Sequence, residues 1–251
     1  MILFKEIIDR GAINNMSRNF KGLARNLILI VAIIVFTISL IKVYTGVKEY
    51  YKNNKLYNNI SNINPFKNND LNIAYTKLKE LNEDYVGWLY IPDTKVNYPI
   101  VKGTDNSFYL NHNFLKEESK AGSIFIDCNI NEFEDKNTII YGHYMKDGSM
   151  FADLHKIYSE LNDTYKIYIA TKNETLEYEI FSVFKDSADI NNYQTFWSTD
   201  DDYVQYLNTL INKSNINYNT SLNMNSSIIT LSTCDFNYSN GRLLVIAVLV
   251  K

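Results

Sequence analysis

The hydrophobic pattern divides the chain into three stretches. From Leu27 to Ile41, 15 residues (LILIVAIIVFTISLI) carry no charge. At the helical rise they span about 22 Å, short of the roughly 30 Å hydrocarbon layer. Extending to Val47 gives 21 residues and about 31 Å, with Lys42 near one end, where its ammonium can snorkel, and Tyr44 at an interface. This predicts a single membrane-spanning helix over 27–47. A cleaved signal peptide would need small residues at cleavage spacing after Ile41, and these are lacking. A buried core helix is the other alternative. Arg18, Lys21 and Arg25 precede the span, so the tail 1–26 is expected in the cytoplasm and everything beyond about residue 48 outside, although Lys48, Lys52 and Lys55 weaken that contrast.

Residues 48–70 are polar, Asn-rich and interrupted by Pro65, which reads as a stalk, part of it helical. Asp70 can cap a helix carrying Leu71, Tyr75, Leu78 and Leu81 at helical spacing, with Gly87 as its stop. Short β-type runs follow at 88–91, 96–101, 123–126 and 137–141. A hairpin pair comes at 166–171 and 175–184, and two further runs at 226–233 and 242–250. Between them, Thr199 can cap a helix opened by Asp200, Asp201 and Asp202, with the apolar stripe Tyr203, Val204, Leu207, Leu210 and Ile211. The last run, RLLVIAVLV, is apolar on both faces, as a central strand is. Many short strands with few helices predict a mainly β fold, a closed barrel or sandwich.

Composition narrows the function. With 25 Lys+Arg against 28 Asp+Glu, there is no basic surface for general nucleic-acid binding. Two cysteines exclude a disulfide-stapled scaffold and a four-cysteine zinc site, and three histidines leave little room for a His-rich metal centre. There is no phosphate-cradling Gly-rich loop, HExxH, CxxC or GxSxG. No metal or cofactor is implied.

What remains is a Cys, a His and an Arg at strand ends. Cys234 closes TLSTC (230–234), the loop 235–241 carries an Asn-Gly turn signal, and Arg242 opens the next strand. Paired as a hairpin, the two strands bring Cys234 and Arg242 to one rim, where the cation lowers the thiol pKa. His143 also stands just past a strand end, after NTIIY and Gly142. Against this, a lone Cys is most often a small buried hydrophobe, a lone His structural and such an Arg solvated. Cys128 is the rival nucleophile, but the adjacent Asp127 would raise its pKa. A Cys128–Cys234 disulfide stays open. His112 and His155 have no reactive neighbour in sequence and read as structural.

At these residues the sequence resembles a class B sortase, a membrane-anchored cysteine transpeptidase of Gram-positive bacteria. The resemblance covers roughly 70–251 and rests on GWLYIPDTKVNYPIV (87–101), DNSFYLNHNF (105–114), AGSIFID (121–127), NTIIYGHYM (137–145), TLSTCDF (230–236) and GRLLVIAVLV (241–250). It implies a closed barrel of about eight strands over 71–251, with an N-terminal helix and a helix inserted before the Cys strand. It also implies Cys234 as nucleophile, His143 as general acid or base and Arg242 as substrate and oxyanion stabiliser. Asn106, Leu110 and Ser232 match positions lining the family's sorting-signal groove, and Tyr193 is a further candidate there. No family role falls on position 128.

The reaction so implied is acyl transfer. Cys234 attacks the carbonyl after Thr in the C-terminal sorting signal of a surface protein. An amine of a peptidoglycan precursor then resolves the thioester. Class B enzymes read motifs from NPQTN-like to PxTG-like, so the motif is not implied. A membrane-anchored cysteine peptidase and a non-catalytic surface β-barrel are the competing readings. With ordinary pKa values, about 3% of the thiol and about 24% of the imidazole are ionised at neutral pH, so a working pair needs shifted values or a minor form.

Overall fold

The computed structural model describes residues 2–67, 70–160, 165–188, 190–214, 222–236 and 240–251, with side chains from Leu23 onward, Ala24 and Ile190 excepted. The apolar run lies within helix α1 (Ile2–Ile60). Its large apolar side chains from Leu27 to Val47 are all exposed. Arg25–Ile63 is long and apolar enough to cross a membrane, and none of its apolar window is buried as a core helix would be. Arg18 and Lys21, on which the expected orientation leans, fall outside the described side chains.

A second compact unit runs from Asn53 to Lys251. Residues 53–66, expected within a stalk, pack inside it. Asn53, Ile60 and Asn64 are buried, the Tyr57 ring stands edge-on to Tyr98 at 5.2 Å, and Asn64 Nδ2 donates to Asn97 Oδ1 at 3.0 Å. Asn-rich composition suggested a linker, yet here the amides serve as specific hydrogen-bonding groups. Helix α2 (Leu71–Leu81) starts where expected, with Asp70 accepting from the Ile73 N–H. It ends at Leu81, and Gly87 is not its stop. That glycine lies in β1 (Tyr85–Tyr90), beside a register shift, where a Cβ would sit 3.1 Å from the Ala170 carbonyl.

The remaining elements are β2 (Asn97–Val101), β3 (Ile124–Ile126), β4 (Asn137–Tyr141), α3 (Leu154–Glu160), β5 (Lys166–Ala170), β6 (Thr175–Ser187), α4 (Asp200–Lys213), β7 (Ile228–Asp235) and β8 (Gly241–Leu249). The eight strands close into a barrel in the order β1-β2-β3-β4-β7-β8-β6-β5. The pairs β2–β3 and β4–β7 are parallel and all others antiparallel. Alternate residues fill the interior, among them Leu89, Ile100, Ile124, Ile140, Ile169, Leu231 and Val245.

Strand β8 is apolar on both faces for a visible reason. Leu243, Val245 and Ala247 point into the barrel, while Leu244, Ile246 and Val248 meet Tyr203, Leu207 and Leu210 of α4. Tyr206 joins that buried face, whereas Val204 of the expected stripe is only half-buried. Thr199 and Asp202 form a complete capping box at the start of α4. Helix α3 was not apparent in the sequence. It has 7 residues, too few for a helical period to register.

Candidate active site

The two parallel crossovers assemble the site. Because β4 and β7 run the same way, with Tyr141 opposite Ser232, both chains leave the barrel at one rim. The ladder continues one step, the Gly142 N–H donating to the Ser232 carbonyl at 3.1 Å. Two residues beyond Tyr141 and Ser232 stand His143 and Cys234. The antiparallel β7–β8 register sets Arg242 directly across from Cys234, so both side chains project on one face. Asn240, in the left-handed region at φ 57°, leads into Gly241 at the start of β8. Residues 237–239 of the expected turn lie outside the described residues.

His143 is fixed on two sides. Its carbonyl accepts from the Phe151 N–H at 3.0 Å, and its Nε2 donates to the Leu110 carbonyl at 2.7 Å. A carbonyl only accepts, so Nε2 carries a proton and Nδ1 is left for the thiol. The hydrogen bond with His143 holds the Cys234 thiol below the ordinary thiol range, partial burial opposing and the Arg242 charge assisting. Reciprocally, the bond with Cys234 raises His143, against desolvation, with the Leu110 carbonyl contributing in the same direction. Both shifts favour a thiolate–imidazolium pair. Arg242 Nη1 donates to the Gly241 carbonyl at 2.9 Å. Among the described residues it forms no ion pair with a carboxylate, which leaves its charge available to the cleft.

Cys234, His143 and Arg242 line a cleft of about 400 Å³ together with Asn106, Leu110, Tyr193 and Ser232. The seven residues to which the resemblance gave a role therefore line one cleft, and the rival Cys128 is not among its lining. The Tyr193 hydroxyl lies 2.9 Å from Ser232 Oγ, tying the segment before α4 to β7. Asn106 Nδ2 donates to Asp127 Oδ2 at 2.8 Å, while its Oδ1 accepts from the Cys128 N–H at 2.8 Å. The side chain is thus held from both ends.

Sequence reasoning missed several neighbours. Tyr141 lines the cleft and donates to Asp127 Oδ2 at 3.1 Å. Thr233 lines it too, its Oγ1 buried without a partner among the described residues. His155 Nε2 meets the Cys234 carbonyl at 3.2 Å. No local signal marks these residues except the threonine in TLSTC, since the other contacts span distant segments. His112 stacks on Phe108 with ring centroids 4.0 Å apart and donates through Nδ1 to the Phe108 carbonyl at 2.8 Å.

Both cysteines are free thiols, so the disulfide alternative is not formed. Strand β4 stands between β3, which leads to Cys128, and β7, which carries Cys234. Two strand spacings amount to about 9.6 Å, beyond disulfide reach.

Comparison with known proteins agrees with this geometry. The sortase-domain family model matches residues 89–250. Sortase B of Listeria monocytogenes is 43% identical over 175 residues, covering 67% of this chain and 70% of that protein. Sortase B of Staphylococcus aureus is 32% identical over 232 residues, 90% of this chain and 95% of that protein. A solved mutant form of Clostridium perfringens sortase B superposes with a TM-score of 0.74 at 32% identity, covering 78% of this chain and 97% of the other. A strand-end cysteine paired with a histidine and an arginine, on an eight-stranded barrel with these relatives, means that the chain belongs to the sortase family, as a sortase B-type cysteine transpeptidase of cell-wall anchoring that acts on sorting signals.

Proposed function

We propose that the chain cleaves the sorting signal of surface proteins after Thr and transfers the new carboxyl end to an amine of a peptidoglycan precursor. Cys234, His143 and Arg242 would carry the chemistry. The observation that supports this best is the shared rim of β4, β7 and β8, which sets imidazole and guanidinium on either side of the thiol. The Cys234 thiolate attacks the scissile carbonyl, and Arg242 offsets the charge that develops on oxygen. His143, held protonated by the thiolate, gives its proton to the departing amine, and the thioester forms. The incoming amine then attacks the thioester, His143 takes back a proton, and Cys234 leaves as thiolate. Leu110 and Tyr193 supply apolar wall to the signal, and Asn106 and Ser232 its polar contacts.

On the same reading, the helix over 27–47 anchors the enzyme in the membrane with the amino end cytoplasmic and the catalytic unit outside. The exposed apolar side chains from Leu27 to Val47 support this.

The test uses the full chain in detergent with a panel of fluorogenic sorting peptides, with and without a diamino acceptor, and mass spectrometry of the enzyme. A peptide adduct on Cys234 that resolves onto the amine is expected. Resolution only to water would favour a peptidase, and no adduct with any peptide would sink the acyl-transfer reading.

A further inference from the structure

Behind Cys234, on the side away from the cleft, β6 and α3 approach the end of β7. Strand alternation turns Asp235 to the face opposite Cys234, and its side chain is fully buried. There Lys185 of β6 meets Asp235 Oδ2 at 2.7 Å, and His155 Nδ1 of α3 lies 3.8 Å from the same oxygen. The other ring nitrogen of His155 reaches the Cys234 carbonyl at 3.2 Å. Since a carbonyl only accepts, Nε2 carries the proton. Burial disfavours the charged ring and lowers its pKa, so His155 stands as a neutral donor. The Tyr144 ring packs on it at 4.4 Å, and Lys185 is itself seated over the Tyr158 ring.

This arrangement assigns Asp235 a task other than its sequence position suggests. A carboxylate next to the nucleophile could orient the catalytic imidazole, as in many triads. Here it faces Lys185 and His155, and His143 takes its orientation from the Leu110 carbonyl instead. Cys234 is the penultimate residue of β7, with only residue 235 following it in the strand. Its ladder partner is Arg242, near the start of β8. The register with β4 stops at Tyr141–Ser232, so on that side the bond from His155 is a further tether on the main chain that carries the thiol.

We propose that His155, seated against the buried Lys185–Asp235 pair, is a positioning residue that holds the Cys234 main chain so that its thiol meets His143 and Arg242. The inference rests on Cys234 being the nucleophile. The donor of an N–H to the Cys234 carbonyl is what the role requires, and a glutamine can supply it where a leucine cannot.

The experiment follows iodoacetamide alkylation of Cys234, resolved from Cys128 by peptide mapping, across a pH series with the full chain in detergent. Parent, His143→Ala, His155→Leu and His155→Gln are compared, with melting temperature recorded for each. For His155→Leu the alkylation midpoint is expected to move towards that of an ordinary thiol, lowering the rate near neutral pH by about tenfold for a one-unit rise. His155→Gln should return it most of the way. A His155→Leu profile equal to the parent's overturns the proposal, as does a glutamine variant no better than leucine at equal folded fraction. If the parent itself shows an ordinary thiol midpoint, insensitive to His143→Ala, the nucleophile assignment falls and this role with it.

Discussion

Cys234 and Arg242 lie on neighbouring strands and His143 just past the end of a third, and two different physical links tie the thiol to its partners. A hydrogen bond joins thiol and imidazole, and a cross-strand register joins thiol and guanidinium. Cys234→Ala is expected to abolish acyl-enzyme formation while leaving the melting temperature near that of the parent. Retained adduct formation would shift the nucleophile to Cys128. Arg242→Lys should lose most turnover, because a point charge does not reproduce a planar fork of donors; near-parental rates would mean that charge alone suffices. The pH dependence follows from the two directions of shift. Depressed Cys234 stays thiolate below the ordinary thiol range and is lost as pH falls through its lowered value. Raised His143 stays protonated above the ordinary histidine range and is lost as pH rises through its raised value. Turnover should therefore trace a bell between these limits, and His143→Ala should push the midpoint of Cys234 alkylation upward. The residues proposed to carry the chemistry stood out in sequence because each lies at a strand end beside a recognisable motif. His155 did not, because its partner lies 79 residues away.

Among the elements, β4 and α4 carry consequences that can be measured. Gly142 joins β4 to His143, and a Cβ there would come within 2.6 Å of Ile124 Cδ1 and 2.7 Å of the Phe151 ring. Gly142→Ala is expected to cost about 1–3 kcal/mol in denaturant unfolding. Turnover should fall further than stability does, since the displaced segment carries the imidazole. A variant as stable as the parent would mean that Phe151 moves aside freely. Thr199→Ala breaks the capping box of α4 and should lower stability by about 1 kcal/mol, with Cys234 alkylation unchanged, because α4 packs on the outer face of β8 and not on the cleft. Helices α2 and α4 were legible because cap and stripe coincide within a few residues. Helix α3 was not, and neither was the bulge at Gly87, where a glycine that looked like a helix stop relieves a close approach to the Ala170 carbonyl.

At the scale of the molecule, the compact unit begins at Asn53, with Ile60 buried and Tyr57 packed on Tyr98. A fragment beginning at residue 71 should therefore be less stable than one beginning at residue 53, by roughly 3 kcal/mol for the lost apolar burial. Equal unfolding midpoints would make residues 53–70 a passive tether. The sequence alone determined what local patterns can carry: an apolar helix of membrane length, the strands and two of the helices, and a Cys, a His and an Arg each set at a strand end. Its resemblance to a known family then supplied the closure of these strands into a barrel and the joining of these residues into one site. Only the tertiary structure decided the parallel pairing of β4 with β7, the packing of 53–66 into the catalytic unit, the separation of Cys128 from Cys234, and the His155–Asp235–Lys185 cluster behind the thiol. Periodicity and capping are properties of neighbouring residues, whereas register across a barrel and burial of a distant ion pair exist only once the chain has closed on itself.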